Sequence, residues 1–116
     1  MTGREKPRIL CVSRSSSQLK AICSALPRKK YEVVTATTPE QAVAVCVSNN
    51  LAAVVLGSEF STDAWSAART FKMVKPHLPV VLLGHNYEQA PPNGVDAVVL
   101  KHSAIKHKLD ALLNRG

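Results

Sequence analysis

Residues 52–56 read AAVVL, an unbroken apolar run between the polar loop Ser48-Asn49-Asn50 and the pair Gly57-Ser58. A run this short, apolar at every position, predicts a strand covered on both faces, as in the interior of a parallel sheet. Working outward, Pro79–Leu83 (PVVLL) and Asp96–Leu100 (DAVVL) have the same character, and Arg8–Val12 (RILCV) reads as another short buried strand. Tyr31–Thr35 (YEVVT) is aromatic and β-branched, which suits a pleated surface. Five strands are expected.

The segments between them change period. Leu19, Ile22, Cys23 and Leu26 recur at i, i+3, i+4 and i+7, the apolar stripe of an amphipathic helix, which Pro27 and the basic run Arg28–Lys30 bring to an end. Thr38-Pro39-Glu40-Gln41 opens a second helix, with Thr38 as N-cap, Pro39 in the first helical position and Gln41 three residues after the cap. That helix is expected to run to about Val47. Ser61-Thr62-Asp63 opens a third, which carries Trp65, Ala68 and Phe71 and ends near Lys75-Pro76. Ser103–Asn114 makes the last, with Ile105, Leu109 and Leu112 on one face. Between the fourth and fifth strands, Gly84–Gly94 (GHNYEQAPPNG) holds the turn signal Pro91-Pro92-Asn93-Gly94 and is too short for a comfortable full helix. The helix expected there is shortened or lost.

Alternation of apolar strands with helices predicts an α/β fold: a doubly wound, five-stranded parallel sheet with helices on both faces and right-handed crossovers. Five such units suit the flavodoxin-like strand order 2-1-3-4-5, in which ligands bind where the first and third strands end. That geometry directs attention to Ser13–Ser17 and Gly57–Glu59. At 116 residues the chain fits a single domain over 1–116, with residues 1–7 expected to be a disordered basic N-terminus.

Composition narrows the function classes. Hydrophobic residues at 46% and charged residues at 20% are ordinary for a globular domain. No apolar run approaches the roughly 20 residues that span a bilayer. A hydrophobic signal region is missing as well, so the chain reads as soluble and cytoplasmic, with no membrane partner. Cys11, Cys23 and Cys46 lie inside apolar patterns without a C-x-x-C pair, and are expected to be buried free thiols. His77, His85, His102 and His107 are scattered, so no metal site and no cofactor are expected. The net charge of +7 favours acidic partners. It is spread over Arg4–Arg8, Arg28–Lys30, Lys72–Lys75 and Lys101–Lys108, with aromatics at only 4%, so specific nucleic-acid binding is not expected.

Nearly the whole chain resembles a response-regulator receiver domain. In that family the first strand ends in two acidic residues that bind Mg²⁺; here Ile9–Val12 is followed by Ser13 and Arg14. The third strand of the family ends in the phospho-accepting Asp, and the matching position here is Gly57, in Leu56-Gly57-Ser58. The Ser or Thr that ends the fourth strand is replaced by Gly84. Gly94-Val95-Asp96-Ala97-Val98-Val99-Leu100-Lys101 follows the family's run, so Lys101 matches the Lys that contacts the phosphoryl group, and His102 replaces the Pro after it. The resemblance therefore implies a receiver with a degenerate pocket of Ser13, Arg14, Gly57, Gly84 and Lys101, and no phospho-acceptor.

Two readings of the mouth stay open. Arg14, Ser15, Ser16, Ser17 and Lys101 could converge on a small anion or nucleotide. Alternatively the serines cap the first helix and line a turn. Glu59 and Asp63 are the nearest carboxylates, and Glu59 is expected to pair with Arg14 or Lys101 rather than accept phosphate. With no nucleophile–base pair or glycine-rich cofactor loop, no enzyme is expected. The resemblance implies a phosphorylation-independent module that binds a protein in a bacterial two-component or phosphorelay pathway, as a monomer or weak homodimer. Sensing of an anion or nucleotide at Ser13–Ser17 and Lys101 is the alternative.

Overall fold

The computed structural model describes residues 6–48, 50–57, 64–83, 95–99 and 103–113. Strands β1 (Arg8–Val12), β2 (Glu32–Ala36), β3 (Ala53–Leu56), β4 (Val80–Leu83) and β5 (Ala97–Val99) form one sheet. Among the described residues the helices are α1 (Ser16–Ala25), α2 (Pro39–Ser48), α3 (Ala64–Val74) and α4 (Ser103–Leu113). Every strand pairing is parallel and the order is β2-β1-β3-β4-β5, the doubly wound arrangement that the alternation predicts. The shortened or lost helix expected within residues 84–94 lies outside the described residues, as do the expected helix opening at 61–63, the tail at 1–5 and the side chains of Trp65 and Ala68.

Successive strand residues face opposite sides of the sheet, and this period divides the core in two. Leu10, Val12, Val54, Leu56, Val80 and Leu82 pack with Ala42 and Cys46 of α2 and Phe71 of α3. Ile9, Cys11, Ala53, Val55, Val81 and Leu83 pack on the other face with Ile22 of α1 and with Ile105 and Leu109 of α4. β3 and β4 are buried at every residue, which is why their sequences show no alternation of polar and apolar side chains.

The caps follow the sequence chemistry. Thr38 Oγ1 accepts the Gln41 N–H at 3.1 Å, as an N-cap should. Gln41 Oε1 turns back to the Thr37 N–H and hydroxyl, both at 3.0 Å, rather than to the cap residue itself. The fourth strand begins at Val80, one residue later than expected, because Pro79 has no N–H to give; the Pro79 carbonyl still accepts the Val54 N–H at 2.9 Å. Asp96 likewise falls outside β5, but its carboxylate accepts the Val80 N–H at 2.7 Å and pairs with Lys72 at 2.8 Å.

The second strand starts at Glu32, not at Tyr31. Tyr31 is buried, and its hydroxyl donates to Asp110 of α4, whose carboxylate also holds Lys30 at 2.9 Å and Lys106 at 2.8 Å. Lys106, then Tyr31 and Lys30, hold the Asp110 carboxyl well below the usual carboxylate range. Burial, reinforced by Asp110, pushes the Tyr31 phenol up. This cluster ties the loop before β2 to the last helix, across 79 positions of sequence.

Candidate functional site at the ends of β1 and β3

Contacts of α1 with α4 and of α2 with α3 put the two helix pairs on opposite faces of the sheet. The chain therefore leaves β1 toward one face and β3 toward the other, and the crevice between their carboxyl ends is the switch point where ligands bind in such sheets. Val12 and Leu56 are register partners there. The first residues past them are Ser13 and Gly57, both buried. The Gly57 N–H donates to the Val12 carbonyl at 2.8 Å, and the Ser13 N–H donates to Ala36 at 3.2 Å. Ser13 thus sits between the ends of β2 and β3, in the middle of the mouth.

Ser13 is fully buried, so its hydroxyl needs partners. It accepts the Ser15 N–H at 3.0 Å, and its proton has the Ser15 carbonyl at 3.3 Å and Gln18 Oε1 at 3.2 Å within reach. Ser15 is the N-cap of α1: its backbone is extended and its Oγ accepts the Gln18 N–H at 3.2 Å. The hydroxyls of Ser13 and Ser15 are therefore engaged in the turn that launches the helix. Ser16 and Ser17 lie exposed in the first turn of α1, and Arg14 is exposed beside them. No acidic residue occupies that first turn.

The structure brings Ser13, Arg14, Ser15, Ser16, Ser17 and Gly57 to one end of the sheet. Gly84, Lys101, Glu59 and Asp63 lie outside the described residues; by chain position Gly84 follows Leu83 directly and Lys101 comes two residues after Val99. The donor set does not fit Mg²⁺, a hard cation that takes carboxylate and carbonyl oxygens. Ser13 has spent its hydroxyl, Arg14 is a cation and Gly57 has no side chain. Among the described residues no group of three or more His, Cys, Asp or Glu side chains is placed to hold a metal ion.

The sequence matches no known family profile and no curated protein. Solved structures do match, over nearly the full chain. A response regulator from Thermotoga maritima superposes with a TM-score of 0.80 at 13% identity, over 94% of this chain and 98% of its own. A CheY-like response-regulator receiver domain protein from Methanospirillum hungatei gives 0.74 at 18% identity, over 97% and 100%. The response regulator TrrA, solved in complex with the histidine kinase ThkA, gives 0.78 at 23% identity, over 93% and 99%.

The chain has the receiver fold. At these identities the likeness speaks for the fold alone, and function must be argued from the site. Within the receiver fold, the mouth between β1 and β3 is lined at its described positions by a buried serine, an exposed arginine and a glycine.

Sequence patterning places Cys23 with the buried thiols. In the structure Cys11 and Cys46 are buried, but Cys23 is only half-buried. It lines an open groove beside α1, at the edge of the helix's apolar stripe. Its signal in the sequence is faint: a cysteine at the border of the stripe, followed by the basic run that starts at Arg28.

Proposed function

We propose that this chain is a receiver-fold signalling module that acts by binding a protein partner and takes up no phosphoryl group. The observation that carries the reading is the make-up of the β1–β3 mouth. Phosphoryl transfer to a carboxylate requires that carboxylate as nucleophile and a divalent cation to offset the phosphate charge. Ser13, Arg14 and Gly57 offer neither a nucleophilic carboxylate nor metal-binding acidic groups, while the framework around them is kept in register. A fold retained without its chemistry retains its surfaces, and surfaces serve binding rather than catalysis. The TrrA–ThkA complex supports the class of partner, a protein of a bacterial two-component-type pathway.

The test is intact-mass measurement after incubation with acetyl phosphate and Mg²⁺. An unchanged mass is expected. A stoichiometric adduct, stable in acid and labile in base, would overturn the reading.

A further inference from the structure

β2, Glu32-Val33-Val34-Thr35-Ala36, closes the sheet on one side. It pairs with β1 residue for residue, from Arg8 with Glu32 to Val12 with Ala36, and among the described residues its other edge pairs with no strand. In a parallel ladder the N–H and C=O of one residue face one neighbour, and those of the next residue face the other way. The Glu32 N–H donates to the Pro7 carbonyl at 2.9 Å and the Ala36 carbonyl accepts the Ser13 N–H at 3.2 Å, so Glu32, Val34 and Ala36 address β1. Val33 and Thr35 therefore turn their backbone groups outward. Edge strands are commonly blunted by proline, lysine or a bulge. β2 has none of these.

The same two residues face the side of the sheet that α1 covers. Val33 lines an open groove of about 450 Å³, Thr35 lines one of about 520 Å³, and Arg28 lines both. Lys6 belongs to the first groove and Lys20 to the second, and all three cations are exposed. Among the described lining residues the one carboxylate is Glu32, which Arg8 holds at 3.0 Å. The open edge is thus bordered by uncompensated positive charge.

We propose that the outer edge of β2 docks an extended acidic segment of a partner protein, which adds to the sheet as a further strand; this assignment rests on the reading of the chain as a protein-binding module. Main-chain bonds to Val33 and Thr35 hold the segment, and its alternate side chains select it. Those on the α1 side fall over the grooves, where Arg28, Lys20 and Lys6 favour aspartate or glutamate and Leu19 offers apolar surface. Nucleic acid would meet the same charge, but its phosphates only accept hydrogen bonds and leave the Val33 and Thr35 carbonyls unanswered. A peptide backbone brings donors and acceptors together. A second copy of this chain would set like charges against each other.

The test follows the isotope-labelled chain by NMR during titration with a short peptide that alternates glutamate with valine. Parallel titrations use the same peptide methylated at every backbone nitrogen, and an oligonucleotide. The unmodified peptide should shift the amides of Val33 and Thr35 and slow their exchange with solvent. Methylation removes the backbone donors and keeps every charge, so it should weaken binding at least about tenfold, as should Arg28→Glu in the chain. Overturning results are equal affinity for the methylated peptide, shifts without slowed exchange at Val33 and Thr35, protection of these amides by the oligonucleotide, or pairing of β2 with β2 of a second copy. The comparison of peptides needs no variant, so it decides the matter even if Arg28→Glu fails to fold. An unchanged mass with acetyl phosphate and no response to the peptide would discard this site alone, whereas a phosphoryl adduct would discard the reading beneath it.

Discussion

Asp110 receives a tyrosine hydroxyl and two ammonium groups on one partly exposed carboxylate, and this makes it a sensor of acid. Its folded pKa lies below the unfolded value of about 3.9, so the stability it contributes is present above that value and is lost as pH falls through the folded pKa. Tyr31 shifts the other way. Its folded pKa lies above the unfolded value of about 10, so its contribution is present below that pH and is lost as pH rises through the folded value. Asp110→Asn should therefore flatten the acid limb of stability: urea midpoints measured between about pH 5 and pH 2 should fall less in the variant than in the parent. A fall of equal size in both would show that the cluster contributes nothing to acid sensitivity. At the same scale, the Ser13 hydroxyl shows why a residue type alone does not define a binding group. Serine can face a ligand or close a turn, and here it accepts the Ser15 N–H.

The elements hold together through faces rather than single bonds. α4 places Ile105 and Leu109, both at 0% exposure, on the sheet face it shares with α1, where Ile22 is also fully buried. Truncating such a side chain removes its transfer free energy and leaves a cavity, so Leu109→Ala should destabilise the chain by about 2–5 kcal/mol. Val47 of α2 and Met73 of α3 lie on the solvent side, 69% and 77% exposed. Val47→Lys should change stability by no more than about 0.5 kcal/mol. Chemical denaturation of the two variants beside the parent checks both values. A large loss in Val47→Lys would mean that this side of α2 is covered in solution. Helix ends obey the same local logic, since Ser15 and Thr38 each close the first turn of their helices with a side-chain oxygen.

Over the whole molecule the net charge of +7 sets a weak attraction for any polyanion. Part of the basic charge is answered internally: Arg8 pairs with Glu32 at 3.0 Å, and Lys72, Lys30 and Lys106 pair with aspartates. Arg28, Lys29 and Lys108 are exposed to solvent as well. Binding to duplex DNA should therefore be weak and should fall steeply with salt, because release of condensed counterions supplies the affinity. Fluorescence anisotropy against labelled duplexes of different sequence checks this. Tight, sequence-selective binding that survives about 200 mM salt would make nucleic acid a specific partner. Among the described residues no helix is long and apolar enough to cross a membrane.

The sequence by itself determined the number, kind and order of the strands, the four described helices and the N-cap of α2, because each is written in a local signal. Apolar runs such as Ala53–Leu56 report burial on both faces, a period of 3.6 reports a helix face, and Thr38 reports where α2 begins. The candidate mouth was legible for the same reason: topology follows from the alternation, and Ser13, Arg14 and Gly57 follow from where strands end. Only the tertiary structure decided what depends on neighbours distant in the chain. Tyr31 looks like the start of a strand until Asp110 arrives 79 positions later to take its hydroxyl. Cys23 looks like one more apolar position of α1 until the packing leaves it half-buried, with Arg28 and Thr35 framing the groove beside it. A residue's own pattern records how much water it meets on average. Which group it touches is set by the packing of strand on helix, and that packing leaves Cys23 at the wall of a groove while Cys11 and Cys46 are buried.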